Sequence, residues 1–176
     1  RADKLNDNTG IYGVVGNPVM HSLSPQIHNP GFQRIHYNAV YVPFLADSIR
    51  SFLSLAEMLR MRGFSVTVPF KVDVLKYLGN ITREVKLIGS CNTVVRVPNM
   101  WKGTNTDYYG FIHPIEKEID EGRIKSALII GAGGAAKAII WALKMRNIKV
   151  TIVNRTKSKA DELATLYGVA SDSLEN

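Results

Sequence analysis

Lys71 closes the run GFSVTVPFK, residues 63–71. Phe64, Val66 and Val68 alternate with Ser65 and Thr67, the pattern of a buried strand over 64–68. Pro69 stops the ladder, and a lysine follows at the strand's mouth. A lone lysine there is most simply the solvated first turn of the next helix. The other reading is an acid–base group, since α/β sheets hold their ligands beyond the carboxyl ends of their strands. Upstream, GNPVMHSLSPQIHN (16–29) sets two hydroxyls, Ser22 and Ser24, at the start of a helix. Ser24 reads as its N-cap and Pro25 as its first position. Small donors at a helix N-terminus suit a carboxylate; taken alone, they are also a plain cap and a loop serine.

A third constellation is more specific. GAGGAA (131–136) follows the apolar strand ALII and opens a helix. Gly131 makes the tight turn, Gly133 lets backbone approach a pyrophosphate, and Ala136 takes the place of the third glycine. Gly131, Ala132, Gly133, Gly134 and Ala135 form the expected phosphate turn, where free N–H groups and the helix dipole favour an anion. The next strand, KVTIV, ends in Asn154, Arg155 and Thr156. An NAD site would carry Asp or Glu there, about twenty residues after the glycines. Arg155 instead offers a guanidinium fork to a 2′-phosphate, with Thr156 and Lys157 as further donors. The cofactor expected is NADP.

These groups need a scaffold. The pattern predicts strands over 11–16, 39–44 and 64–68, and a helix from Ser24 with Pro30 inside it, where a kink or a lost hydrogen bond is expected. Ile49, Phe52, Leu53, Leu55, Ala56 and Leu59 mark a helix over 48–61. Two short helices follow near 71–78 and 82–88. A strand pair turns at Pro98–Asn99, and a helix from Tyr108 to Ile119 leads on to a second unit of two strands and two helices. The fold class is α/β with mostly parallel sheets: an N-terminal substrate domain and a C-terminal Rossmann-type NADP domain. The expected division is 1–10 leader or linker, 11–106 substrate-binding and catalytic domain, 107–124 connecting helix, and 125–176 start of the NADP domain. A full dinucleotide domain usually has about six strands, so the chain is expected to belong to a longer polypeptide.

Composition narrows the function classes. The 176 residues are 45% hydrophobic, and the net charge is +7. The basic residues are dispersed and no nucleic-acid motif occurs, so an anionic small molecule is the expected partner rather than nucleic acid or membrane. The single cysteine, Cys91, excludes an internal disulfide and fits a reducing cytoplasm. His21, His28, His36 and His113 lack metal-ligand spacing, and no metal is expected.

GNPVMHSLSPQIHN, VTVPFK, CNTVV, GTNTDYYG, GAGGAAKA and NRT occur in one order. Together they resemble the shikimate dehydrogenase family over nearly the whole chain, Ile11 to Gly168. The resemblance implies NADP-dependent, reversible reduction of 3-dehydroshikimate to shikimate, in aromatic amino-acid biosynthesis. It implies that Ser22 and Ser24 hold the carboxylate, that Thr67, Lys71, Asn92 and Asp107 ring the hydroxyls, and that Lys71 and Asp107 are the catalytic pair. Hydride transfer from an alcohol leaves a proton to be taken, and a positioned lysine takes it. Closure of two domains around the ligands is expected. The chain departs from the family at Ser65 (usually Asn), Pro30 and Tyr108, and the family supplies a substrate-contacting glutamine beyond Asn176. The opening RADKLNDNTG reads as a linker, since some members are fused to a dehydroquinate dehydratase. A sister dehydrogenase acting on quinate or an amino-shikimate and a non-catalytic binder or regulator are the alternatives; the presence of Lys71 and Asp107 argues against the binder.

Overall fold

The computed structural model describes residues 5–174. Residues 1–4 of the expected linker and the last two of the expected NADP segment lie outside the described residues. The chain forms two compact units. One gathers the chain up to Thr82 with Cys91–Thr104; the other gathers Arg83–Ser90 with the chain from Asn105 onward. Residues 83–90 thus lie inside the linear span 11–106 yet cluster with the second unit.

The first unit is built on β1 (Gly10–Gly16), β2 (Ala39–Leu45), β3 (Gly63–Val66), β4 (Asn80–Ile81), β5 (Thr93–Val97) and β6 (Met100–Thr104), in the order β2-β1-β3-β5-β6-β4. The β1, β2 and β3 strands run parallel, β5 is antiparallel to both β3 and β6, and β4 joins β6 in parallel. Strand β3 ends at Val66, two residues short of the expected Val68. Its ladder runs out because the partner β5 starts only at Thr93, opposite Ser65. Helix α2 (Ile49–Met58) begins at Ser48, whose hydroxyl accepts the Ser51 N–H at 3.1 Å. It buries Ile49, Phe52, Leu53 and Ala56, the stripe its spacing announces. Phe52 meets Phe64 edge-on, and Phe64 meets Trp101, so the core runs as an aromatic row under the sheet.

Helix α1 (Ser24–Arg34) starts at Ser24 itself, with Leu23 in the cap position expected for Ser24. It remains one helix through Pro30 and buries none of its residues fully. The short helix expected near 71–78 is a 3-10 turn at Asp73–Tyr77.

The second unit holds α3 (Arg83–Ile88), α4 (Asp107–Ile112), α5 (Glu116–Asp120), β7 (Ser126–Ile130), α6 (Gly134–Met145), β8 (Lys149–Asn154), α7 (Lys157–Tyr167) and β9 (Ala170–Ser173). The β7-β8-β9 sheet is wholly parallel. Its third strand has no counterpart in the sequence pattern, because ASDS carries none of the large apolar residues that mark a strand. The expected helix over 108–119 is broken by a 3-10 turn at His113–Ile115, where Pro114 has no N–H to give. Ile129, Ile140, Leu143, Ile152 and Leu163 fill the core between sheet and helices, and Tyr108 packs edge-on against Trp141 at 5.1 Å. Gly168 ends α7 in the left-handed conformation, φ 61°. Among the described residues, no helix is long and apolar enough to cross a membrane.

Candidate active site

In the first unit the residues expected to hold substrate come from three loops at one end of the sheet. Because β1 and β3 are adjacent and parallel, the loops that follow them leave side by side. The Asn17 N–H donates to the Val68 carbonyl at 2.8 Å and ties those loops together. Strand β5 runs the other way, so the residue before it, Asn92, arrives at the same end. Its carbonyl accepts the Val66 N–H at 2.8 Å. Ser22 and Ser24 stand on the first loop and helix start, Thr67 and Lys71 on the second, and Asn92 on the third. The Cys91 N–H donates to the Lys71 carbonyl at 2.8 Å, which fixes the lysine backbone against the third loop. All five are half-buried, the exposure that ligand-binding groups require.

Gly16 makes this close approach feasible. A Cβ there would come within 2.4 Å of the Thr67 methyl and 2.9 Å of the Val68 carbonyl oxygen. Ser22 Oγ donates to Ser24 Oγ at 3.1 Å and accepts the Ser24 N–H at 3.3 Å. The hydroxyl pair is therefore pre-assembled at the start of α1. In the same unit the Tyr41 hydroxyl, which the sequence did not single out, donates to Ser65 Oγ at 2.7 Å.

In the second unit, Asp107 opens α4, and its N–H donates to Asn105 Oδ1 at 2.9 Å. Asn105 and Ser90 are the buried polar side chains of the described residues. Ser90 Oγ donates to the Gly134 carbonyl at 2.9 Å. Sequence reasoning singles out neither; a buried Asn–Ser contact between segments fifteen residues apart has no local signature. The Tyr167 hydroxyl donates to the Ile88 carbonyl at 2.5 Å, and burial pushes this phenol up to about 12.

The glycine turn fits a dinucleotide. Gly131 has φ 115°, a conformation closed to residues with a Cβ, and its N–H donates to the Val153 carbonyl at 2.8 Å. Nothing lies within 4 Å of where a Cβ would stand on Gly131 or Gly133, so the backbone of the turn is open to a phosphate. Helix α6 has no acidic residue in its first turn, which leaves its N-terminal dipole unopposed. At the end of β8, Asn154 Nδ2 donates to the Thr156 carbonyl at 2.9 Å and shapes the turn that carries the exposed Arg155. Lys157, expected as a further donor, is engaged by Asp161 at 2.9 and 3.0 Å. Lys157 and then Ser171 hold the Asp161 carboxyl below its ordinary range. Among the described residues no cluster of His, Cys, Asp and Glu could hold a metal ion.

Residues 14–94 match the family model of the shikimate dehydrogenase substrate binding domain, and residues 115–175 match that of shikimate / quinate 5-dehydrogenase. The chain is 41% identical to the shikimate dehydrogenase (NADP(+)) of Caldanaerobacter subterraneus subsp. tengcongensis over 164 residues, 92% of this chain and 59% of that protein. It superposes on the crystal structure of shikimate dehydrogenase from Aquifex aeolicus with a TM-score of 0.89, at 38% identity, covering 96% of this chain and 64% of the other. A shikimate dehydrogenase crystallised in complex with NADP+ gives a TM-score of 0.87 at 35% identity, over 98% and 64% of the two chains. The chain therefore spans about three fifths of the length of the relatives it matches.

Proposed function

The chain belongs to the shikimate dehydrogenase family, and on that premise we propose that it carries the substrate site and the first part of the cofactor site of an NADP-dependent shikimate dehydrogenase. The reaction is the reversible interconversion of 3-dehydroshikimate and shikimate, a step of aromatic amino-acid biosynthesis. The observation that carries the reading is the gathering of Ser22, Ser24, Thr67, Lys71 and Asn92 on three loops at one sheet end, held by the Asn17–Val68 and Cys91–Lys71 backbone bonds.

In this reading Ser22 and Ser24 donate to the substrate carboxylate. Thr67 and Asn92 orient the ring hydroxyls. Lys71 takes the proton from the C3 hydroxyl as the alcohol is oxidised, and returns it to the developing alkoxide in the reverse direction. Asp107 is its catalytic partner. NADP, when bound, supplies or accepts the hydride. Gly131, Ala132, Gly133, Gly134 and Ala135 would receive its pyrophosphate on their backbone. Asn154, Arg155, Thr156 and Lys157 would meet its 2′-phosphate, with Arg155 the leading donor because Asp161 already holds Lys157.

The test is a four-way assay of the full chain, following reduced nicotinamide with shikimate or quinate and with NADP or NAD. Turnover confined to shikimate with NADP supports the reading. Turnover preferring quinate with NAD would move the protein to a sister specificity. No turnover in any combination, with shikimate still bound, would leave a binding protein.

A further inference from the structure

Tyr41 lies on β2 and is only 5% exposed. Its place is fixed from three sides. Asn29, on α1, accepts the Tyr41 N–H at 2.8 Å and donates to the Tyr41 carbonyl at 3.0 Å, so one side chain satisfies both backbone groups of the tyrosine. The His28 imidazole stacks on the ring at 4.3 Å between centroids and 17° between planes. Val14 and Val19 pack against it from the sheet and the loop after β1. The phenol oxygen is the one polar atom of this buried ring, and it reaches the site. It donates to Ser65 Oγ at 2.7 Å, and the Ser24 side chain lies close enough to the same oxygen to influence it. Ser24 is in turn bonded to Ser22 at 3.1 Å. Two hydroxyl pairs, Ser22–Ser24 and Tyr41–Ser65, thus lie together within one unit, behind the face expected to take an anion. Burial raises the phenol's pKa, so the group is a neutral donor throughout the working range.

We propose that Tyr41 is a positioning residue for the substrate carboxylate: its clamped phenol holds the hydroxyls of Ser24 and Ser65 in place, so that the serine pair meets a carboxylate without first being ordered. The proposal rests on the reading of Ser22 and Ser24 as carboxylate donors. It also accounts for Ser65, where the family usually has Asn. A serine is too short to act at a distance, and here the longer reach belongs to the tyrosine across the β1 strand. Two polar groups that would otherwise be free to rotate are held by a third whose own freedom Asn29 and His28 have removed, the arrangement by which binding sites reduce ordering costs.

The experiment compares two ligands on the full chain by calorimetry: shikimate, and the same ring lacking its carboxylate. Tyr41→Phe is expected to weaken shikimate about two- to tenfold, the loss expected for one hydrogen bond between neutral groups. It should leave the decarboxylated ring, the NADP affinity and the turnover number within twofold. Ser65→Ala should shift the same ligand selectively and by less. Equal losses for both ligands, or none for either in the presence of normal shikimate binding by the unaltered chain, would overturn the role of Tyr41 alone. If the unaltered chain itself bound both ligands equally, the carboxylate reading of Ser22 and Ser24 would fall first. Should Tyr41→Phe not fold, the two-ligand comparison on Ser65→Ala decides in the same terms.

Discussion

Asn105 donates its side-chain amide to both the carbonyl oxygen and the hydroxyl of Ser90, at 3.0 and 3.2 Å. The contact ties together two parts of the second unit that the chemistry needs in register. On one side Asn105 Oδ1 receives the Asp107 N–H. On the other, the Ser90 hydroxyl bonds the carbonyl of Gly134, the first residue of α6. The carboxylate expected to serve catalysis is thus two buried side chains away from the helix end expected to hold phosphate. Ser90 and Asn105 are both buried, which makes the run costly to disturb.

Replacing Asn105 tests that cost. Asn105→Asp exchanges the amide donor for an oxygen facing the two Ser90 oxygens, in a site 2% exposed. A buried acceptor without a donor costs about 1–3 kcal/mol, and more for a charged group. Chemical denaturation is expected to show a loss at the upper end of that range or beyond. Ser90→Ala, which leaves the amide its bond to the Ser90 carbonyl, should cost less. Equal stability of all three chains would mean the network contributes nothing.

Lys71→Ala probes the proton step. A positioned acid–base group contributes about 10²–10⁴-fold, so turnover should fall by that order while shikimate affinity, read by calorimetry, stays within a few-fold. Loss of affinity with turnover intact would assign Lys71 to binding instead.

Arg155→Ala probes the cofactor preference. A bidentate charge-assisted contact is worth about 1.5–3 kcal/mol, about ten- to a hundredfold in KM for NADP, with KM for NAD little changed. Lys157→Ala should do less, because its ammonium already pairs with Asp161. A ratio of NADP to NAD that Arg155→Ala leaves untouched would remove the residue from the 2′-phosphate.

What was legible in the sequence follows from where each signal resides. The strand, turn and helix around Gly131 are local: tight-turn glycines and an apolar run specify them without help from the rest of the chain. Helix α2 declares its buried face by spacing. Strand β9 does not, because its residues, alternately exposed and half-buried, are a strand only through pairing with β8. The early end of β3 is likewise a property of its partner, since Thr67 and Val68 keep strand-like composition after the ladder has stopped. Ser90, Asn105 and Tyr41 are silent for the same reason: a polar group buried by tertiary packing looks in sequence like any surface residue. The motif residues Ser22, Ser24, Thr67, Lys71 and Asn92 can be quoted from the chain. That they meet at one sheet end needs the β1–β3–β5 topology.

Tyr167 gives a prediction in pH. Its phenol is 8% exposed, donates to the Ile88 carbonyl, and is pushed up to about 12 by burial, against an ordinary value of 10.0. The raised value means that the folded state holds this proton more tightly than the unfolded chain. Its contribution is therefore complete below pH 10 and disappears as pH rises from 10 towards 12. A rise of that size corresponds to about 2–3 kcal/mol, and the hydrogen bond at stake joins α7 to the end of α3. Tyr12, also raised to about 12, adds its own alkaline destabilisation, so the informative quantity is a difference. Urea denaturation of the unaltered chain and of Tyr167→Phe, at pH 8 and at pH 11, should show the unaltered chain losing more stability over that interval. Parallel losses would mean that the Tyr167 proton is no better held in the folded state than in the unfolded one.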